Sequence, residues 1–214
     1  MTFHVVSLFP DSFESYLGAS IIGRAVKEKK IRVKFYNPRD FTTKKLDRVD
    51  RRPYGGGPGM VLEAESVLKA ALKAKGKSKA EIYFFDRSGE TFSNELARKL
   101  VKKKVKDIVL ICGHYEGIDA RVQKILKAKK ISVGPYTLTG GELPAMIVVD
   151  AVARQIPGVL GTFESIEEER VSSSEVYTRP EVFKWKRKNY RVPKVLLSGN
   201  HAEIDNWKRR VSQT

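Results

Sequence analysis

Ile108-Val109-Leu110-Ile111-Cys112-Gly113-His114-Tyr115-Glu116-Gly117-Ile118-Asp119 holds the pattern that decides the fold. Ile108–Cys112 is apolar without alternation, which suits a strand buried on both faces of a parallel sheet. Glycines follow at once. Glycine allows positive φ and close approach of the backbone to a ligand, and open α/β sheets bind ligands beyond the carboxyl ends of their strands. A strand that runs straight into Gly113 and Gly117 therefore predicts an α/β fold with a small-molecule site at the strand end.

Working outward, His4–Leu8, Ile31–Tyr36, Ile82–Phe85 and Ile131–Val133 read as further strands. Helix patterns lie near Phe13–Glu28, Ala64–Ala74, Asn94–Val101, Ile118–Leu126 and Pro144–Gln155, so helices alternate with strands around a largely parallel sheet. Two stretches break the rhythm. Asn37–Gly59 is a long, charged, glycine-rich connection, and a loop of that length is usually functional. Gly161–Val176 carries the acidic run Glu164–Arg170 and Ser172–Ser174 and reads as a linker. The expected organisation is a main domain over residues 1–161, a linker over 162–176 and a small helical domain over 177–214. That last segment holds the basic run Lys184-Trp185-Lys186-Arg187-Lys188, then a helix over His201–Val211 with Asn200 as N-cap and Glu203 in a capping-box position.

Charge narrows the partner. The 214 residues include 41 Lys and Arg against 25 Asp and Glu, a formal charge of +16. Such an excess favours a polyanion, because each phosphate contact releases counterions. Clusters such as Lys102-Lys103-Lys104 read as solvated helix surface. The single cysteine, Cys112, excludes a disulfide framework within one chain, and His4, His114 and His201 are too scattered to suggest a metal cluster, so no metal ligand set is expected. Met1–Pro10 lacks the basic and apolar regions of a secretory leader, and no apolar run approaches a membrane span. A cytoplasmic protein without a membrane partner is expected.

Three glycine-bearing segments carry the chemistry: Arg51–Gly59, Cys112–Asp119 and Ser132–Ala145. The first is no P-loop, because it lacks the Lys-Ser/Thr ending, and Met60 stands where G-x-G-x-x-G needs its last glycine. Nucleotide hydrolysis and a dinucleotide site both lose ground. Gly113, Gly117, Gly134, Gly140 and Gly141, with Tyr115, Glu116 and Tyr136, can instead line a small-molecule pocket.

At these residues the chain resembles the bacterial tRNA (guanine-N1)-methyltransferase family, which modifies the guanine following the anticodon, tRNA position 37. The resemblance runs through Arg51–Met60 (RRPYGGGPGM), Gly113–Asp119 (GHYEGID), Ser132–Ala145 (SVGPYTLTGGELPA), Arg154–Gly161 (RQIPGVLG), Tyr177–Glu181 (YTRPE) and Leu197–His201 (LSGNH). It implies a SPOUT-class fold with a deep trefoil knot, a rare topology. It also implies S-adenosyl-L-methionine as cofactor, with magnesium assistance left open, and tRNA as partner. The family works as a homodimer whose active sites lie at the interface.

Carried over residue by residue, the resemblance assigns the cofactor site to Phe85, Asp86, Gly89, Gly113, Tyr115, Glu116, Gly117, Ser132, Val133, Gly134, Tyr136, Thr137, Leu138, Gly140, Gly141 and Pro144. Arg52, Tyr54, Gly55 and Gly59 match a loop that shapes the RNA site. Arg154 matches the catalytic arginine, and Glu169, beside Glu168, takes the place of the family's basic aspartate. Asp86-Arg87, His114 and Pro135 depart from the family's Ser-Pro, arginine and acidic residue, and both the linker and the C-terminal RNA-binding domain that the resemblance implies over 177–214 look shortened. Two other readings compete: a related knotted tRNA ribose 2'-O-methyltransferase and a non-catalytic RNA-binding dimer.

Overall fold

A computed structural model of the chain describes residues 1–161 and 173–212. They separate into two compact units, Met1–Leu160 and Gly161–Thr214. The first is built on a five-stranded sheet. Its strands, in chain order, are β1 (Thr2–Val6), β2 (Arg32–Tyr36), β5 (Glu81–Thr91), β6 (Asp107–Ile111) and β7 (Lys129–Ser132), and they lie in the order β2-β1-β6-β5-β7. Every pairing in this sheet is parallel.

Apolar side chains leave both faces of the sheet, which is why Ile108–Cys112 shows no alternation in sequence. Phe3 and Val5 of β1, Ile108 and Leu110 of β6 and Tyr83 of β5 enter one layer. That layer is completed by Ala97 and Leu100 of α4 (Asn94–Lys102) and by Val148, Val149 and Val152 of α6 (Glu142–Ala153). Val6, Ile82, Val109 and Ile111 enter the opposite layer, with Val67, Ala70, Ala71 and Ala74 of α3 (Ala64–Lys75) and Val122 of α5 (Ala120–Leu126). Leu110 is fully buried in the central strand. Leu110→Ala is expected to cost about 2–5 kcal/mol through lost transfer energy plus a residual cavity, read as a lower urea midpoint with an unchanged slope.

Several boundaries differ from the sequence expectation, each for a local reason. The first strand ends at Val6 rather than Leu8, because the Ser7 hydroxyl accepts from the Phe9 amide and turns the chain out of the sheet. The helix expected over Phe13–Glu28 breaks into α1 (Glu14–Leu17) and α2 (Ser20–Lys27). At the break, a Cβ on Gly23 would lie 2.3 Å from the Gly18 carbonyl oxygen, so the two glycine backbones pack directly together. The Asn37–Gly59 connection is not structureless: β3 (Asp50–Arg51) pairs antiparallel with β4 (Val61–Leu62), and short 3-10 turns cover Pro38–Phe41 and Lys45–Asp47. β5 runs well past the expected Phe85. Its pairing with β7 shifts between Phe85 and Glu90, and Asp86–Gly89 bulge outward.

Helix ends follow their caps. Ser93 accepts from the Leu96 amide at the start of α4, and Asp119 accepts from the Arg121 amide at the start of α5, so α5 begins two residues later than its apolar pattern suggests. Among the described residues, no helix is long and apolar enough to cross a membrane.

The second unit is mixed rather than helical alone. β8 (Val182–Trp185) and β9 (Lys188–Arg191) form an antiparallel hairpin, followed by α7 (Lys194–Leu197) and α8 (His201–Val211). Asn200 caps α8 as expected, accepting from the Glu203 amide at 3.4 Å. Tyr177 packs near Trp207 of α8, their ring centroids 6.2 Å apart.

Candidate active site

A cavity of about 380 Å³ opens at the carboxyl ends of β5, β6 and β7, the place where parallel sheets bind ligands. Of the residues expected to hold the cofactor, Phe85, Asp86, Gly113, Tyr115, Glu116, Gly117, Ser132, Val133, Gly134, Tyr136, Thr137, Leu138, Gly140, Gly141 and Pro144 line it. Gly89 does not. A Cβ there would lie 2.5 Å from the Ile131 amide nitrogen, so Gly89 lets the bulged β5 backbone return against β7. Phe84, Ile118, Ile131 and Thr139 also line the cavity beyond that set, as do Arg87 and His114, two positions that depart from the family's pattern. Phe84 and Ile131 look like strand core in sequence, whereas Arg87, His114 and Thr139 sit between predicted site residues and were within reach by adjacency.

Two loops form the walls and are fastened to each other. The Gly141 amide donates to the Gly113 carbonyl at 2.8 Å, and His114 bridges Gly140 in antiparallel fashion. A Cβ on Gly141 would lie 2.5 Å from Cys112 Cα and 2.9 Å from the Gly113 nitrogen, so only glycine lets the start of α6 close on the end of β6. The first loop is held from outside by the Glu116 amide donating to the Met60 carbonyl and the Leu62 amide donating to the Gly117 carbonyl, both at 3.0 Å. Within it, Tyr115 takes a left-handed φ of 59°. The second loop is tied by the Ser132 hydroxyl donating to the Gly134 carbonyl and the Tyr136 hydroxyl donating to the Val133 carbonyl.

Charged groups of both signs border the cavity, since Asp86, Arg87 and Glu116 all line it. Hydrogen bonds from Lys130 and then Ser88 hold Asp86 down at about 2, so it stays anionic throughout the neutral range. Glu142, buried in the first turn of α6, accepts from the Ser7 hydroxyl at 2.7 Å and places its other oxygen 3.9 Å from His114 Nδ1. That buried nitrogen makes no hydrogen bond among the described residues. Burial first, and then the Glu142 charge, push the Cys112 thiol up, so it is a poor nucleophile. Glu116 on the wall offers a carboxylate to a positively charged group of a ligand. Among the described residues, no group of three or more His, Cys, Asp or Glu side chains could hold a metal ion.

A broader depression of about 1490 Å³ lies beside the cavity and shares Glu116 and Ile118 with it. Arg52 and Tyr54 line it, together with Arg48, Arg51 and Arg121. Gly55 and Gly59 do not line it, but both have positive φ and belong to the turn that presents Tyr54, whose side chain is fully exposed. A Cβ on Gly59 would meet the Glu116 side chain at 2.6 Å, so this glycine lets the arginine-rich loop close on the cavity wall.

Arg154 lines neither space. It follows α6 directly and is half-buried there. Gly141 and Glu142 stand at the opposite end of that 12-residue helix, which spans roughly 18 Å at 1.5 Å per residue. Glu168 and Glu169 lie outside the described residues.

A family model described as tRNA (Guanine-1)-methyltransferase TrmD matches residues 1–214. The chain belongs to this tRNA (guanine-1)-methyltransferase family. It is 47% identical over 216 residues to the tRNA (guanine-N(1)-)-methyltransferase of Caldanaerobacter subterraneus subsp. tengcongensis, covering 99% of this chain and 87% of that protein. It is similar to proteins of the same name from Clostridioides difficile, 42% identical with 99% and 92% covered, and Buchnera aphidicola subsp. Acyrthosiphon pisum, 44% identical with 98% and 89% covered. These names specify guanine N1, so neither the ribose methyltransferase nor the non-catalytic dimer is favoured.

Proposed function

We propose that this chain transfers the methyl group of S-adenosyl-L-methionine to N1 of the guanine that follows the anticodon in tRNA. The observation that carries the reading is the glycine-walled, carboxylate-bearing cavity at the strand ends of a chain matched along its length by this family. The cavity fits the donor on three counts. Its volume falls in the range of small-molecule sites, its walls at Gly113, Gly140 and Gly141 are bare backbone, and its Glu116 carboxylate can face a sulfonium cation. The donor supplies an electrophilic methyl carbon. Nucleoside mass spectrometry after incubation of tRNA with donor and enzyme tests the reading, and N1-methylguanine is the expected product.

The chain's own residues would meet two demands. Guanine N1 is protonated and poorly nucleophilic, so a base must take its proton; Glu169 is proposed for this role, with Glu168 beside it. As the proton leaves, charge spreads to O6, where the Arg154 guanidinium can stabilise it with a charge-assisted hydrogen bond. Arg52, Tyr54 and the Gly55–Gly59 turn are proposed to shape the RNA side of the site. Glu169→Gln keeps the size of the side chain while removing the base. It should lower the single-turnover rate sharply and leave cofactor and tRNA affinity nearly unchanged, whereas Glu168→Gln should change little. Loss with Glu168→Gln instead would move the base by one residue.

The same reading includes a homodimer with shared sites. Arg154 sits a helix length from the cavity, so a second chain is the natural source of the arginine for each cavity. Leu143 and Ile147, four residues apart on α6, are exposed apolar side chains, as are Tyr16 and Ile21, and such a patch suits a partner surface. Sedimentation at micromolar concentration should give a dimer; a species near the 24.2 kDa chain mass alone would remove the shared site. The trefoil knot, a cytoplasmic location and magnesium assistance belong to the same proposal. Magnesium commonly acts through one or two carboxylates plus substrate phosphates and needs no protein cage. tRNA affinity should fall steeply as salt rises, as counterion release by several Lys and Arg demands.

A further inference from the structure

The second unit carries a surface that the methyl-transfer reading does not use. In the β8–β9 hairpin Phe183 stands opposite Tyr190 and Trp185 opposite Lys188, while Val182 and Lys184 face Arg191 and Asn189. Cross-strand partners share a face and successive residues alternate. Phe183, Trp185, Tyr190 and Lys188 therefore make up one side of the ribbon. This side is open to solvent: Phe183 is 54% exposed, Trp185 59% and Tyr190 52%. The Phe183 and Trp185 rings lie within 12° of parallel with centroids 6.2 Å apart, and so present flat surfaces of common orientation.

Three exposed aromatic rings on a two-stranded ribbon call for a partner, since a ribbon of this size has no second layer of its own. Charge identifies its chemistry. Between Glu181 and Arg191 there are five cations, Lys184, Lys186, Arg187, Lys188 and Arg191, against the single carboxylate of Glu181. Lys186 and Arg187 form the turn at the ribbon's tip, beside Trp185. Flat rings interleaved with cations are what unpaired nucleotides require, because bases stack on the rings while the cations neutralise phosphates. In a duplex the base faces are already occupied by their neighbours.

We propose that the β8–β9 hairpin is a stacking platform for unpaired RNA bases, with Phe183 and Trp185 as stacking rings and Lys186, Arg187 and Lys188 as phosphate contacts. The inference rests on the reading that the substrate is RNA, and adds a preference of this unit for single-stranded over paired segments.

The chain has two tryptophans, Trp185 and Trp207, so Trp207→Phe leaves Trp185 as the only tryptophan reporter in the whole protein. Titration with a short single-stranded oligoadenylate should quench its fluorescence, and an RNA duplex of equal length should quench it far less. Trp185→Ala and Phe183→Ala should each weaken oligoadenylate binding about tenfold, and Trp185→Phe should restore it, as expected for stacking. KM for tRNA should rise in the two alanine variants. Absence of quenching, equal quenching by duplex, or rescue by Trp185→Leu as good as by Trp185→Phe would overturn the platform. Methyl transfer by the unmutated enzyme is assayed alongside: transfer without quenching refutes the platform alone, and no transfer refutes the proposed function.

Discussion

Arg154→Ala is expected to slow single-turnover methylation roughly 10²–10³-fold, the cost typical of removing one donor that stabilises developing negative charge. Donor binding should be nearly unchanged, because Arg154 lines neither the cavity nor the depression beside it. Arg154→Lys should recover only part of the rate, since an ammonium keeps the charge without the planar fork of donors. The position of Arg154 gives a sharper test. It ends the helix whose other end closes the cavity, so a shared site requires the arginine of one chain to serve the cavity of the other. Mixed dimers of an Arg154→Ala chain and a chain with a damaged cavity should therefore, at limiting donor, exceed the activity of either homodimer. No such gain in verified mixed dimers would place both groups in one chain.

Gly141→Ala is expected to supply that damaged cavity. Its methyl would meet Cys112 Cα at 2.5 Å and the Gly113 nitrogen at 2.9 Å, backbone atoms that cannot swing aside. Relief requires the start of α6 to move off the end of β6, breaking the bond from the Gly141 amide to the Gly113 carbonyl and parting the two loops that wall the site. Donor affinity should fall by about tenfold or more, and the donor-induced rise in Tm should shrink with it. Gly113→Ala is the contrast. Its methyl would meet only Ile118, at 3.7 Å, an ordinary contact, so thermal stability without donor should be nearly that of the parent. Calorimetric titration of both variants checks the pair; equal donor affinity for Gly141→Ala and the parent would mean the loop closure does not shape the site.

Much of this was legible in sequence because the deciding signals are local. Unbroken apolar runs such as Ile108–Cys112 mark a doubly covered parallel sheet, and glycines immediately after them mark its ligand end. The Asn200 cap of α8 was equally plain. The long helix expected from Phe13 was not, since the direct packing of Gly23 on Gly18 is a tertiary contact that helical periodicity does not register. Gly89 is similar: a glycine shows in sequence that a backbone must come close to something, but not whether that is a ligand or, as the structure has it, β7. The hairpin at Val182–Arg191 was hidden by its own composition, since alternating aromatics and cations read as a basic segment until the register places the rings on one face. The role proposed for Arg154 rests on its motif alone, because Arg154 follows the end of α6 opposite Gly141 and lines neither space.

The chemical identity and place of the methylated atom test the proposed function most directly. tRNA carrying guanine after the anticodon would be incubated with isotopically labelled donor and enzyme, digested, and its nucleosides and oligonucleotides resolved by mass spectrometry. N1-methylguanine confined to the fragment holding that guanine, and lost when the guanine is replaced by adenine, is the predicted result. Label on a ribose hydroxyl, on another base, or on no nucleoside at all would contradict it.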